Sequence, residues 1–159
     1  MAKVSLFIVI TSLLAGCWIT PDIKNDGYWN VVNHTDQSLR LTYSPYNKDF
    51  DIQEVAPGDS ISVAGWGYYP SIEPYFNYWL EQINTFGRDT SFIVLSESGN
   101  LLKEWKYSER DSTGKQFYKE SSWNYYRYQR GVYVRATWTF EIESDDLSVF
   151  CLYLPPQKE

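Results

Sequence analysis

Val132-Tyr133-Val134-Arg135-Ala136-Thr137-Trp138-Thr139-Phe140-Glu141-Ile142 is the stretch that decides the fold of this 159-residue chain. Apolar side chains stand at every second position from Val132 to Ile142, and mostly polar ones stand between them. A period of two, held over so many residues, is typical of a β-strand with one face in the core. The sequence therefore predicts a half-buried strand at residues 132–142.

Other short β-favouring segments surround this strand. Arg130-Gly131 predicts a turn that pairs it with residues 122–129 as a hairpin. Further strands are predicted at residues 28–33, 38–44, 49–55, 60–66, 91–96 and 101–107. A polar turn after Asn33 predicts that residues 28–33 and 38–44 form a hairpin, as do residues 91–96 and 101–107. Two glycines and a proline at residues 65–70 predict an interruption of regular strand structure.

About eight short strands with little helix predict an all-β fold of mainly antiparallel strands. The architecture is either an immunoglobulin-like β-sandwich or a partly closed barrel, with one or two short helices. One helix is predicted at residues 75–84, where Phe76, Trp79, Leu80 and Ile83 have helical spacing after Pro74. A last turn is predicted to open at Ser144.

The N-terminus combines Lys3, an uncharged apolar run at residues 4–14, and Leu14-Ala15-Gly16-Cys17. The run is too short to span a membrane and has the length of a signal-peptide core. The last four residues resemble the lipobox of bacterial lipoproteins. The resemblance implies cleavage before Cys17 and lipid on its thiol and amine, which would hold the protein on a membrane. Trp18 stands where inner-membrane lipoproteins often carry Asp, so the outer membrane is favoured. The sequence does not decide which face of that membrane the domain occupies.

These features divide the chain into four parts: a signal peptide at residues 1–16, a lipidated tether at 17–27, a single β-rich domain at 28–154 and a frayed tail at 155–159. Removal of the signal leaves 143 residues, enough for one domain with a sizeable core. Lipid on Cys17 would leave Cys151 without a partner for an intrachain disulfide.

Composition narrows the classes of function. The formal net charge is −6 and no basic run is present, which argues against nucleic acid as a partner. The sole histidine, His34, cannot build a multi-histidine zinc site, and no cysteine cluster replaces it. We therefore expect no metal, no cofactor and no enzyme activity. A glycoside hydrolase that uses two carboxylates is a third choice, because acidic residues are plentiful.

Three landmarks of the mature chain resemble small lipoproteins of Bacteroides-type bacteria, which pair a lipobox with a compact β-domain. They are Val31-Val32-Asn33-His34-Thr35-Asp36, Val55-Ala56-Pro57-Gly58-Asp59, and the closing strand from Thr137 that runs into Ser144-Asp145-Asp146-Leu147. The resemblance implies an immunoglobulin-like fold and transfers no catalytic residues.

Aromatic residues are the unusual feature of the composition, at 18% of the chain. The candidate ligand-binding residues are Trp66, Tyr68 and Tyr69, with Glu73 and Asn77 as polar partners. On residues 122–129, alternation places Trp123, Tyr125 and Arg127 on one face and Tyr126 and Tyr128 on the other. Both faces cannot be core in a two-layer domain, although tyrosine and tryptophan also serve as strand formers and core filler.

The sequence thus predicts a lipid-anchored protein of the bacterial cell envelope whose β-domain binds or scaffolds and does not catalyse. Its partners are the membrane, through lipid on Cys17, and a glycan or an envelope protein. The alternative within binding is a glycan-binding module that uses exposed aromatic rings.

Overall fold

The computed structural model describes residues 25–44, 52–68, 72–83 and 89–147, apart from the side chains of residues 66, 68, 79, 82 and 83. Eight strands of this part form two sheets of four. Sheet A contains β1 (Asn25–Asn33), β4 (Ser60–Tyr68), β7 (Asn124–Arg130) and β8 (Tyr133–Ile142), in the order β4-β1-β8-β7. Sheet B contains β2 (Leu39–Ser44), β3 (Gln53–Val55), β5 (Ser91–Ser96) and β6 (Leu101–Lys106), in the order β3-β2-β5-β6. The two sheets pack together, which confirms the predicted all-β sandwich over a closed barrel.

Strand β8 has the predicted alternation. Val134, Ala136, Trp138, Phe140 and Ile142 are buried, and the residues between them face outward. Val132 is the exception: its side chain is 63% exposed, because it lies in the turn before the strand. Gly131 has φ 60°, a left-handed conformation that glycine adopts without strain. The hairpin of β7 and β8 is therefore confirmed, with seven residue pairs from Asn124–Thr139 to Arg130–Tyr133.

The core between the sheets is built largely from aromatic rings. Trp29 of β1 and Trp138 of β8 are paired in register and stack at a centroid distance of 4.8 Å. Phe117 lies in the connection between β6 and β7, is fully buried, and stacks on Phe92 of β5 at 3.8 Å. Because Phe117 also contacts Phe140 of β8, at 5.2 Å, it joins the two sheets.

The hairpin predicted for β1 and β2 is wrong. β1 pairs with β4 and, in parallel, with β8, whereas β2 pairs with β3 and β5 of the other sheet. Both strands have one apolar face, and these faces meet across the sandwich instead of lying side by side. The hairpin of β5 and β6 is confirmed.

The side chain of Asn33 holds the point where the chain leaves sheet A for sheet B. Its Nδ2 donates to the carbonyls of Gln37, at 2.8 Å, and Val55, at 2.9 Å. Its Oδ1 accepts from the backbone N–H and the hydroxyl of Thr35, at 2.9 and 2.7 Å. The Asn33 carbonyl accepts from the N–H of Gly58, at 2.7 Å, in the turn between β3 and β4. One fully buried amide thus ties three chain segments together.

Two other segments differ in detail from the prediction. β1 begins at Asn25, three residues earlier than the strand predicted from residue 28. The predicted interruption at residues 65–70 is wrong for its first four residues, because β4 continues to Tyr68 opposite β1. The irregularity lies nearer the start of β4, as a shift in the pairing register opposite Trp29 and Asn30 of β1. Gly65 lies in the strand beside the ring of Tyr28, which is 3.5 Å from where a Cβ would stand, an ordinary van der Waals distance.

Among the described residues the helical segments are short. α1 spans Asn77–Ile83, inside the predicted 75–84. Three 3₁₀ turns occupy Tyr107–Glu109, Glu120–Ser122 and Ser144–Asp146, and the last is the turn predicted at Ser144. In the described part of the chain no helix has the length and apolar character needed to cross a bilayer.

Candidate binding surface

Of the sequence-predicted site residues, only Glu73 and Asn77 have described side chains. Cys17 and Tyr69 lie outside the described residues. Trp66 and Tyr68 lie on β4, opposite Gly27 and Asn25 of β1, and only their backbones are described. Asn77 is the first residue of α1 and is exposed.

Glu73 belongs instead to the surroundings of β7. Its Oε1 accepts a hydrogen bond from Nη2 of Arg127 at 3.0 Å. Arg127 also donates from Nη1 to Oε1 of Gln129 at 2.7 Å. The segment before α1 is therefore connected to the edge strand of sheet A, which carries the second aromatic cluster of the sequence.

Strand β7 is exposed along its whole length, on both faces. Trp123, just before it, is buried in the core, and Tyr125 packs against Trp138 at 5.1 Å while remaining 52% exposed. Tyr126 is 66% exposed and Tyr128 is 43% exposed. The sequence-based inference that some rings of this segment must lie outside the core is thus supported by three exposed tyrosines.

Among the described residues, the outer face of sheet A carries four tyrosine rings. We call this surface the tyrosine face; it consists of Asp26 and Tyr28 of β1, Tyr126, Tyr128 and Arg130 of β7, and Tyr133 and Arg135 of β8. The strand pairings place these residues in rows, since Thr137 lies between Tyr126 and Tyr28, and Arg135 lies between Tyr128 and Asp26.

Hydrogen bonds fix the centre of the tyrosine face. The hydroxyl of Tyr133 donates to Oδ2 of Asp26 at 2.6 Å, which raises the pKa of that phenol because its proton is held by a carboxylate. Arg135 donates from Nε to the Tyr133 hydroxyl at 2.9 Å and from Nη2 to Asp26 at 3.4 Å. Its guanidinium also lies over the ring of Tyr28, 5.3 Å from the centroid. The Arg135 side chain is thereby oriented before any ligand arrives.

The two outer faces of the sandwich differ in composition. On sheet B, the described residues that face outward include Arg40, Thr42, Ile93, Leu95 and Glu104, and none of those on its paired strands is aromatic. If tyrosine served only as a strand former, both outer faces would carry it. The aromatic residues are instead concentrated on sheet A, beside the exposed edge at β7.

Several carboxylates that a hydrolase would need already have structural contacts. Glu120 accepts from Nε1 of Trp138 at 3.0 Å, and Asp146 accepts from Nζ of Lys115. Asp89 accepts from the hydroxyl and backbone N–H of Ser108, and these bonds lower the pKa of that carboxyl. Such contacts favour a structural role for these acidic groups.

One group of side chains has the chemistry of metal ligands. His34, Glu141 and Glu143 place one ligand atom each within 4.8 Å of one another. His34 is exposed, and its Nε2 lies 4.0 Å from Oε1 of Glu141. Exposed groups of this kind are common without a bound ion, so we assign no metal to them.

Comparison with known proteins gives no relative from which a function could be transferred. A scan against protein-family models finds no match, and a search of curated proteins finds none.

The sequence anticipated half of the tyrosine face. Alternation alone places Tyr126 and Tyr128 together, and Tyr133 and Arg135 together, on one side of their strands. It gives no sign that Asp26 and Tyr28 lie beside them, because the parallel pairing of β1 with β8 joins residues more than a hundred positions apart.

Proposed function

We propose that this protein is a lipid-anchored component of the bacterial cell envelope, whose β-sandwich binds an envelope or host ligand through the tyrosine face and does not catalyse a reaction. The anchor rests on the lipobox at residues 14–17. The outer membrane is the proposed location, because Trp18 follows Cys17.

The observation that carries the binding role is the exposure of β7 on both faces. A strand that packs on the core buries one of its faces, whereas β7 leaves three tyrosine rings accessible to a ligand. Binding through tyrosine rings costs little side-chain entropy. On the inner face of β7, Tyr125 packs against the buried Trp138 and Arg127 donates a hydrogen bond to Glu73, so the strand is attached to the rest of the domain on that side. Rigid, exposed tyrosines and arginines are the residues that most often dominate binding energy.

The binding role predicts a separation of binding from stability. We expect the double variant Tyr126→Thr/Tyr128→Thr to bind an isolated envelope fraction at least about tenfold more weakly, a loss of about 1.4 kcal/mol. Threonine keeps the β-propensity of the edge strand while removing the rings. The melting temperature should change little, because surface substitutions away from special features cost about 0.5 kcal/mol or less. Binding is measured by co-sedimentation of the purified full-length protein, held in detergent, with an envelope fraction whose lipids have been extracted, so that the acyl anchor cannot itself cause sedimentation.

Leu101→Thr is the matched control, because Leu101 is 47% exposed and lies on β6, an edge strand of the other sheet. It should bind the envelope fraction as the parent does. Equal binding by the parent and the double variant would contradict a role for the tyrosine face.

The anchor makes an independent prediction. We expect Cys17→Ala to abolish acylation, because only the thiol can form the thioether to a diacylglycerol, and to leave an uncleaved precursor. Two or more acyl chains are needed for stable anchoring, so the parent protein should sediment with membranes. Mass spectrometry of the mature N-terminus decides the matter, with Cys151→Ala as the control that should be lipidated normally. An unmodified Cys17, or a mature protein that starts elsewhere, would refute the anchor.

A further inference from the structure

We infer that the tyrosine face binds an acidic, extended polysaccharide, with sugar rings on Tyr126, Tyr128 and Tyr28 and sugar carboxylates at Arg130 and Arg135. This inference rests on the proposed binding function and names its ligand class. Three features of the face support it: its charge, the spacing of its rings, and the small polar side chains between them.

The charge of the β7–β8 hairpin is opposite to that of the chain. Residues 124–135 contain Arg127, Arg130 and Arg135 and no acidic residue, although the formal net charge of the chain is −6. Arg127 pairs with Glu73, and Arg135 with Asp26. Arg130 forms no ion pair with any residue that the structure describes, and it lies on the same face as Tyr128. A local positive surface on an acidic protein favours an anionic ligand over a neutral one.

Two arginines flank one ring: Arg130, and Arg135, which also pairs with Asp26. Arg135 lies directly opposite Tyr128 in the pairing of β7 with β8, and Arg130 is the next outward residue along β7. A sugar stacked on Tyr128 would therefore have a guanidinium on two sides. Arginine binds carboxylates through parallel N–H donors in a fixed geometry, which gives both affinity and orientation.

The ring spacing suits a chain of linked sugars. Tyr126 and Tyr28 are separated by one strand, with Thr137 between them, so their backbones lie about 9.6 Å apart, twice the usual interstrand distance. This distance is close to the disaccharide repeat of an extended β-linked chain. Alternate sugars could then present their flat C–H surfaces to successive tyrosines.

The side chains around the rings favour a sugar over a protein. Asn30, Asn124, Thr137 and Thr139 share the outer face, and they are short and hydrogen-bonding. The described aliphatic side chains near this face are Val32, at the far end of β1, and Val132, in the turn beside Arg130, so none lies at its centre, where a protein interface is usually apolar.

A matched pair of oligosaccharides tests the inference on the full-length protein in detergent. The β-1,4-linked glucuronic acid hexamer and cellohexaose have the same backbone and differ only in the carboxylates. By calorimetry, we expect the acidic hexamer to bind about tenfold more tightly, a difference of about 1.4 kcal/mol. Arg130→Gln should lower its affinity toward that of cellohexaose, and Tyr126→Thr should weaken both ligands.

Each outcome has a definite meaning. Equal affinity for the two hexamers, no binding of the acidic one, or binding that is insensitive to Arg130→Gln would overturn the inference. If the envelope fraction still binds in a manner that needs Tyr126 and Tyr128, the proposed function stands while the acidic polysaccharide fails. Loss of that binding after protease treatment of the fraction would identify a protein partner and likewise refute the polysaccharide.

Discussion

Replacing Phe117 by alanine is expected to lower the free energy of unfolding by about 3–5 kcal/mol, the usual cost of truncating a buried phenylalanine. Phe117 is fully buried and stacks on Phe92 with an interplanar angle of 5°. It also contacts Trp123 at 5.1 Å and Phe140 at 5.2 Å. Because rings of both sheets surround it, the cavity left by alanine cannot close through the movement of one side chain.

Chemical denaturation of the purified protein measures this change. Tyr126→Ala is the control, since it removes a larger ring from the surface and should alter the free energy of unfolding by about 0.5 kcal/mol or less. A loss below about 1 kcal/mol for Phe117→Ala would mean that the connection between β6 and β7 does not close the core.

Replacing Asn33 by alanine is expected to cost about 2–4 kcal/mol, because a buried polar group that loses its partner costs about 1–3 kcal/mol. The change strips the carbonyls of Gln37 and Val55 of a donor, and removes the acceptor of the Thr35 N–H. Water cannot easily replace the amide, since Asn33 is fully buried and Thr35 is nearly so.

Asn100→Ala provides the comparison in the same denaturation experiment. The Asn100 side chain donates to the Ser98 hydroxyl on the surface, at 3.0 Å, where water can take over the bond. We expect about 0.5 kcal/mol or less for this variant. If the two asparagine variants were equally stable, the crossing between the sheets would not depend on the Asn33 amide.

The fold class follows from local patterns, and the pairing of distant strands does not. Alternation on β8 and the turns at Gly131 and Gly99 predict two hairpins that the structure contains. The same alternation on β1 and β2 is compatible with one sheet or with two facing sheets, because in both cases one face is buried. Only the tertiary partners of Asn33 and the parallel pairing of β1 with β8 distinguish these arrangements.

The candidate site, like the fold, could be predicted from the sequence only where local patterns determine it. Tyrosines on both faces of β7 require that some be exposed, and this requirement follows from periodicity alone. The sequence predicts Glu73 as a polar partner of Trp66, Tyr68 and Tyr69, but the structure joins it to Arg127, 54 positions away, which no local pattern indicates. Phe117 shows the converse, because a core residue in an irregular connection has no periodicity to reveal it.

Residue-resolved NMR of the isotope-labelled protein tests the central claim most directly. Soluble fragments of the envelope of the bacterium that makes the protein would be titrated into it, and the chemical shifts of the backbone amides would be followed. We expect changes at Tyr28, Tyr126, Tyr128 and Arg135, with Ile93 and Leu95 on the outer face of sheet B unaffected. Changes confined to sheet B, or their absence from β7 and β8 in the presence of binding, would contradict the assignment of the tyrosine face as the binding surface.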